Sequence, residues 1–299
     1  MIVLVFLAQT LRIVIPYLLA AAGGVLSERV GIIALSLEGF MLAGAFGAAI
    51  TAHATGSAWA GLAGGILGGV LLALVHALAT VRFRANQVVV GVALNLLAVG
   101  VTRFFLRFLF DSSSNSPRVA GFGASAGASS GAGGATAFLA SLANPLVWIG
   151  LVTLPAVAWL LYRTPFGLRA RAVGEKPEAA TTLGVSVDRV RWTGVALAGL
   201  CAGLGGAYLA LDQHQFTDGM TAGRGYIALA AVIFGRWDPK RVALACVGFA
   251  AAETLQIQLQ GRGSFPSQFV EMIPYALTIL ALAGLAGRAQ APAALGRAE

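Results

Sequence analysis

The stretch Trp192-Thr-Gly-Val-Ala-Leu-Ala-Gly-Leu-Cys-Ala-Gly-Leu-Gly-Gly-Ala-Tyr-Leu-Ala-Leu211 carries no charged side chain from end to end. A helix needs about 20 predominantly apolar residues to cross the hydrocarbon core of a bilayer, and this run meets that length. Its apolar residues are continuous rather than alternating over ten-residue segments, so it reads as a membrane helix and not as a barrel strand. Similar runs fall near 2–26, 31–52, 57–80, 87–110, 145–163, 223–236, 240–260 and 268–287. The sequence therefore predicts an all-α, polytopic transmembrane helix bundle of about nine spans, forming a single domain over 1–299.

Composition agrees with this reading. Of 299 residues, 58% are hydrophobic and 11% charged, with a mean hydropathy of +0.83; soluble domains carry about 25% charged residues. The formal charge of +8 would suggest nucleic acid in a soluble protein, but here the basic residues sit between spans and no nucleic acid is expected. With nine spans, Arg29, Arg82 with Arg84, the 163–191 segment, Arg236 with Lys240 and Arg241, and Arg288 with Arg297 all fall on one side. Only Arg118, Arg224 and Arg262 fall on the other, so the first side is cytoplasmic, with the N-terminus outside and the C-terminus inside the cell membrane. The apolar N-terminus has no basic residue before Arg12 and reads as the first span, not as a cleaved signal.

The segment 223–236 is short. About 14 residues reach only about 21 Å of a core about 30 Å thick, so it is either a re-entrant half-helix or a short span enclosed by protein; loop parity favours the span. The glycine-serine stretch Gly121 to Gly134 lies in an outer loop, 111–144, that reads as a flexible linker, and it lacks the Lys-Ser/Thr ending of a phosphate loop. Gly61, Gly65 and Gly69, Gly64 with Gly68, and Gly199 with Gly203 recur every four residues, spacing that lets helix backbones approach closely within the bundle or at a subunit face.

One cytoplasmic piece, 164–191, does not suit a simple pore. Within it, Lys176-Pro177 precedes Glu178-Ala-Ala-Thr-Thr-Leu183 and Gly184. Proline fits a first helical turn, Glu178 the positive helix end, and Gly184 a helix stop. A short helix of small residues in a cytoplasmic loop offers a knob for a partner's groove.

That segment resembles the coupling-helix loop of ABC importer permeases of the branched-chain amino acid, ribose and nucleoside group. Ser27-Glu-Arg-Val-Gly31, Leu37-Glu-Gly-Phe-Met-Leu-Ala-Gly-Ala45, Asn86-Gln-Val-Val-Val-Gly91 with Asn95, and Gly203-Leu-Gly-Gly206 agree in order. Gly223-Arg-Gly-Tyr-Ile-Ala-Leu-Ala-Ala-Val-Ile-Phe-Gly-Arg-Trp-Asp-Pro239 is similar to the nucleoside permeases that work with BMP-type lipoproteins. The chain departs from the family at Ala34, where asparagine is usual, and in its outer loop. The resemblance implies a permease with no catalytic residues and no cofactor of its own. It implies a second, often non-identical permease subunit, cytoplasmic ATPases that bind ATP and Mg, and an extracytoplasmic substrate-binding lipoprotein. Gly174, Glu175, Lys176, Pro177, Glu178, Ala179, Ala180, Leu183 and Gly184 would form the grip for the ATPase.

Ionisable and amide side chains within spans cost insertion energy and face a bundle interior or water. Glu38 is the first candidate for the solute pathway, or else for a buried pair with an arginine such as Arg12. Asn86, Gln87 and Asn95 offer amides of the kind that read a nucleobase or ribose edge, and Glu253 heads a polar stripe with Gln256 and Gln260. Arg103 and Arg107 suit the outer interface, with an Arg107–Asp111 contact. No two histidines or cysteines have ligand spacing, so no metal site is expected. The leading expectation is a nucleoside ABC permease, with sugar or branched-chain amino acids as alternative cargo. A carrier of a different class, ion-coupled through Glu38, would have no use for the 164–191 loop.

Overall fold

A computed structural model describes residues 2–122, 139, 141–260 and 290–297. These residues form helices joined by turns, with a single isolated bridge, Asn115 to Thr217, among them. In chain order the helices are α1 (Ile2–Arg29), α2 (Leu37–Thr55), α3 (Ala58–Ala77), α4 (Gln87–Phe110), α5 (Pro145–Arg163), α6 (Pro165–Glu175), α7 (Pro177–Thr182), α8 (Val187–Gln213), α9 (Arg224–Phe234) and α10 (Pro239–Gln260). A π-helical turn, Leu78–Arg82, extends α3.

Seven of these, α1 to α5, α8 and α10, are long and apolar enough to cross a membrane. The count expected near nine is thus seven among the described residues, and the run at 268–287 lies outside them. The expected span at 223–236 is α9, whose 11 residues reach about 16 Å, half of a core about 30 Å thick. It is a half-helix, preceded by turns over 214–223.

Helix α8 is the centre of the bundle: 78% of its apolar window is buried, against 28% for α4. Helices α1, α2 and α3 pack around it. The seam has no room for side chains. A Cβ on Gly44 would lie 2.6 Å from Gly203 Cα, and one on Gly69 would lie 2.4 Å from Gly199 O. The four-residue glycine spacing in α3 and α8 therefore serves contact within this chain, where close packing replaces the hydrophobic drive that lipid removes. Helix α4 shows the complementary pattern. Gly91, Leu94, Asn95, Ala98, Thr102 and Leu106 are buried, while Val89, Leu96, Phe104 and Phe108 remain exposed. Both faces are mostly apolar, as a helix between protein and lipid requires.

The ends of the bundle are fixed by backbone contacts. At one end Arg29 donates through Nε and Nη2 to Trp237 O (3.1 and 2.9 Å), and the indole of Trp237 donates to buried Glu28. The residues 290–297 lie over this same end, where Ala294 N donates to Gly174 O at 2.9 Å and Gly296 N to Gly31 O at 3.2 Å. At the other end, residues 114–119 of the outer loop pair with 214–218: Ser116 N donates to Phe216 O and Val119 N to His214 O, both at 2.8 Å. The rest of that loop's glycine-serine stretch, 123–134, lies outside the described residues.

Candidate functional site

The half-helix α9 defines the site. A helix N-terminus leaves backbone N–H groups without partners and carries partial positive charge, and inside a membrane such groups need an internal acceptor. Glu38 supplies it. Its Oε1 accepts from Thr221 Oγ1 at 2.6 Å and Gly223 N at 2.9 Å, and its Oε2 accepts from Gly225 N at 2.7 Å. The approach is close because position 225 is glycine: a Cβ there would sit 2.5 Å from both N and Cα of Glu38. Glu38 is itself in the first turn of α2, which starts at Leu37 because 31–36 is not helical, a shift from the expected start at 31. Glu38 is therefore not paired with Arg12, as one reading of the sequence had it.

Arg12 bonds Asp212 instead, Nη2 to Oδ2 at 2.6 Å. Arg224, counted from the sequence among outer-loop residues, opens α9 inside the bundle and donates to Glu253 Oε1 at 3.0 Å. Glu253 also accepts from the hydroxyl of Tyr17, in the middle of α1, so α9 begins at about half the depth of the bundle. Arg103 donates twice to Asp218 in the 214–223 turns, at 3.0 and 2.8 Å, while Arg107 and Asp111 meet through the backbone, Asp111 N donating to Arg107 O at 3.0 Å.

The amide candidates are occupied by backbone. Asn95 Oδ1 accepts from Gly39 N at 2.8 Å, and its Nδ2 donates to Leu35 O at 2.9 Å and Tyr226 Oη at 2.8 Å. It ties α4 to both breaks at once. Gln87 accepts from Ile33 N at 2.8 Å and donates to Gly31 O, holding the non-helical 31–36 stretch. Asn86 is exposed and caps α4 through Val88 N and Val89 N. So Glu38, Asn95 and Glu253 converge on α9, Gln87 serves the non-helical stretch leading to Glu38, and Asn86 stands apart from them.

Beside the break lies a cleft of about 560 Å³, lined among others by Gln9, Arg12, Arg118, Tyr208, Asp212 and Arg224. Sequence reading missed its partnership: Arg12 and Asp212 are 200 positions apart, and no local pattern links them. Two other cavities, one against α5 and one between α2, α3 and α4, are lined almost wholly by apolar side chains. Among the described residues no group of His, Cys, Asp or Glu could hold a metal ion. His76 is buried edge-on against Phe40.

The 164–191 loop forms two helices, not one. Thr164 caps α6 by accepting from Gly167 N at 3.2 Å, with Pro165 in the first turn. Then Pro177 opens α7, Ala180 is buried beneath it, and Gly184 (φ +77°) takes the left-handed conformation after it. Glu178, Ala179 and Leu183 are exposed, Leu183 to 83%. Gly174 faces inward to the chain's own end: its O accepts from Ala294 N, and a Cβ on it would lie 2.2 Å from Arg29 O; Glu175 is exposed, its Oε2 accepting from Ala293 N at 3.4 Å. Lys176 is exposed between the two helices.

A bundle of helices long and apolar enough to cross a membrane, packed about α8 and interrupted by the half-helix α9, is the build of an integral membrane protein. The chain belongs to the family described as branched-chain amino acid transport system / permease component, whose pattern matches residues 6–282. It is 37% identical to a guanosine ABC transporter permease protein, NupQ, of Bacillus subtilis, over 98% of this chain and 95% of that one. It is 36% identical to a nucleoside ABC transporter permease protein, NupC, of Lactococcus lactis, over 94% and 92%. A putative glucose ABC transporter permease protein of Haloferax volcanii is 38% identical over 85% of this chain and 77% of its own. As in those relatives, the role is transport and not catalysis.

Proposed function

We propose that the chain is one permease half of an ATP-driven importer of nucleosides. The observation that carries this reading is its near-full-length likeness to two permeases named for nucleosides, at 37% and 36% identity. The glucose relative aligns over less of its own length, 77%, and is the weaker guide to cargo.

In this reading the solute passes beside the break at α9, with Glu38, Asn95 and Glu253 holding the broken backbone at its edge. Segment 214–235 crosses as turns followed by a half-helix, the architecture by which membrane transporters place irregular backbone where it is enclosed by protein. Together with a further span at 268–287, this gives nine crossings, the N-terminus outside and the C-terminus in the cytoplasm. Supporting that orientation, Arg29, Trp237, Gly174 and Ala294 meet at one end, so basic loops gather on one face. There the exposed Glu178, Ala179 and Leu183 of the α7 knob, with Lys176 and Pro177, dock on an ATPase subunit that binds ATP and Mg. A second, non-identical permease and an extracytoplasmic lipoprotein complete the assembly.

The test places a cysteine at Thr182. An impermeant maleimide should label it in inverted vesicles and not in intact cells, and a short bifunctional reagent should join it to the ATPase subunit. Labelling from outside intact cells would refute the orientation and the docking together.

A further inference from the structure

Residues 292–297 form a turn that holds itself: Leu295 N donates to Pro292 O at 3.0 Å and Arg297 N to Ala294 O at 3.2 Å. The turn is wedged between the end of α6 and the stretch that follows α1. Pro292 and Ala294 are buried, and Leu295 packs against the core. On one side Ala294 N donates to Gly174 O at 2.9 Å and Ala293 N to Glu175 Oε2 at 3.4 Å. On the other, Gly296 N donates to Gly31 O at 3.2 Å. Gly31 and Gly296 both take the left-handed conformation (φ +90° and +80°), and their backbones meet because neither carries a side chain. A Cβ on Gly31 would lie 3.2 Å from Ala294 O, and one on Gly296 3.0 Å from Ile33 Cδ1.

The two surfaces joined in this way have different duties. Gly174 and Glu175 close α6, and only Lys176 separates them from Pro177, the first residue of the α7 knob, so a push on α7 reaches Gly174. Residues 31–36 have no helical ladder, and much of their backbone is held by side chains from elsewhere. Ile33 N donates to Gln87 Oε1 at 2.8 Å, Ala34 N to Glu28 Oε1 at 3.3 Å, and Gly31 O accepts from Gln87 Nε2 at 3.4 Å as well as from Gly296 N. Backbone held by isolated contacts is the part of a fold that opens at least cost. This stretch leads into Glu38, whose carboxylate holds Thr221, Gly223 and Gly225 at the start of α9. Gly174 also abuts Arg29, but α1 is a 28-residue helix packed along the bundle. The turn reaches past α1 to backbone that can shift.

We propose that the turn 292–297 is a coupling strap, which carries movement of the α7 docking knob from Gly174 to Gly31 and so through residues 31–36 to Glu38 and the start of α9. The assignment rests on the reading of α7 as the ATPase-docking element. It adds a second, internal half to that machinery, supplied by a part of the chain far from the docking loop in sequence. Lying between two sites does not by itself establish coupling between them, so the test reads coupling directly.

The experiment measures guanosine uptake and ATP hydrolysis on the same vesicles containing the complete importer. Ala294→Pro removes the N–H that bonds Gly174 O, and deletion of 290–299 removes the strap without inserting anything into the bundle. In both, guanosine moved per ATP hydrolysed should fall at least fivefold while hydrolysis stays within twofold of the parent, and amide exchange over 31–36 should accelerate at least tenfold. Cross-linking of Thr182→Cys to the ATPase should be unchanged, and Ala291→Glu, at an exposed position, should behave as the parent. If either strap variant assembles and keeps the parental uptake per ATP, the strap assignment is wrong and the docking reading stands. If neither variant assembles with the ATPase, the segment is a folding element and the assignment is likewise wrong. If Thr182→Cys fails to join the ATPase in the otherwise unchanged chain, the docking reading falls and takes the strap with it.

Discussion

Replacing Glu38 should loosen one place in the molecule and leave the rest firm. Its carboxylate accepts three hydrogen bonds, from Thr221 Oγ1, Gly223 N and Gly225 N. Bonds to a charged group are worth about 1.5–3 kcal/mol each in net terms, and a carboxylate at a helix N-terminus adds up to about 2 kcal/mol in a partly buried setting. Glu38 is only partly buried, so water replaces some of this in Glu38→Ala, and about 2–3 kcal/mol is the expected local loss. At about 1.4 kcal/mol per factor of ten, amide hydrogen exchange at Gly223 and Gly225 should accelerate about 30- to 150-fold. Peptides from the α2–α3–α8 seam should keep parental rates, since Gly44 and Gly203 do not touch this region. Glu38→Gln, which keeps one acceptor oxygen, should fall between. Exchange at 221–227 within threefold of the parent in Glu38→Ala would show that the α9 N-terminus does not depend on this side chain.

Other outcomes follow from single contacts. Gly203→Val places side-chain atoms where Gly65 O is already 2.6 Å from a Cβ; overpacking costs about 1–3 kcal/mol or more, so size-exclusion in detergent should show aggregated or absent protein. Arg224→Met strands Glu253 at sites about one-fifth exposed. Removing one partner of a buried pair costs about 3–5 kcal/mol, so about 2–3 is expected here in thermal unfolding, and adding Glu253→Gln should recover roughly half. Glu178→Lys with Ala179→Trp changes only exposed positions, so unfolding should move by less than about 0.5 kcal/mol. ATP-driven uptake should nevertheless fall at least tenfold.

The spans were legible because lipid imposes a crude requirement: α3, α4, α5 and α10 are uncharged or nearly so over the needed length, and hydropathy alone finds them. The knob at α7 was legible from Pro177, Glu178 and Gly184, since helix ends follow local rules. The same rules could have found α6, through Thr164-Pro165, had the loop not been read for one helix only. The break at α9 was half visible. Its shortness showed, but loop parity counts crossings and says nothing of whether the crossing is helical, and Gly31 to Ser36 is as apolar as helix. The ties that hold the breaks are invisible to any local pattern: Glu38 meets Thr221 at a separation of 183 positions and Arg12 meets Asp212 at 200. Such pairs are set by which helices become neighbours, and that depends on the whole bundle.

The central claim is that this chain moves nucleosides only as part of an ATP-burning assembly. Uptake of radiolabelled guanosine into sealed vesicles tests it directly, with the chain reconstituted either alone under a proton gradient or with its ATPase, companion permease, lipoprotein and ATP. Accumulation is expected in the complete system, stopping when ATP is replaced by a non-hydrolysable analogue, and none with the chain alone. Proton-driven accumulation by the chain alone would contradict it.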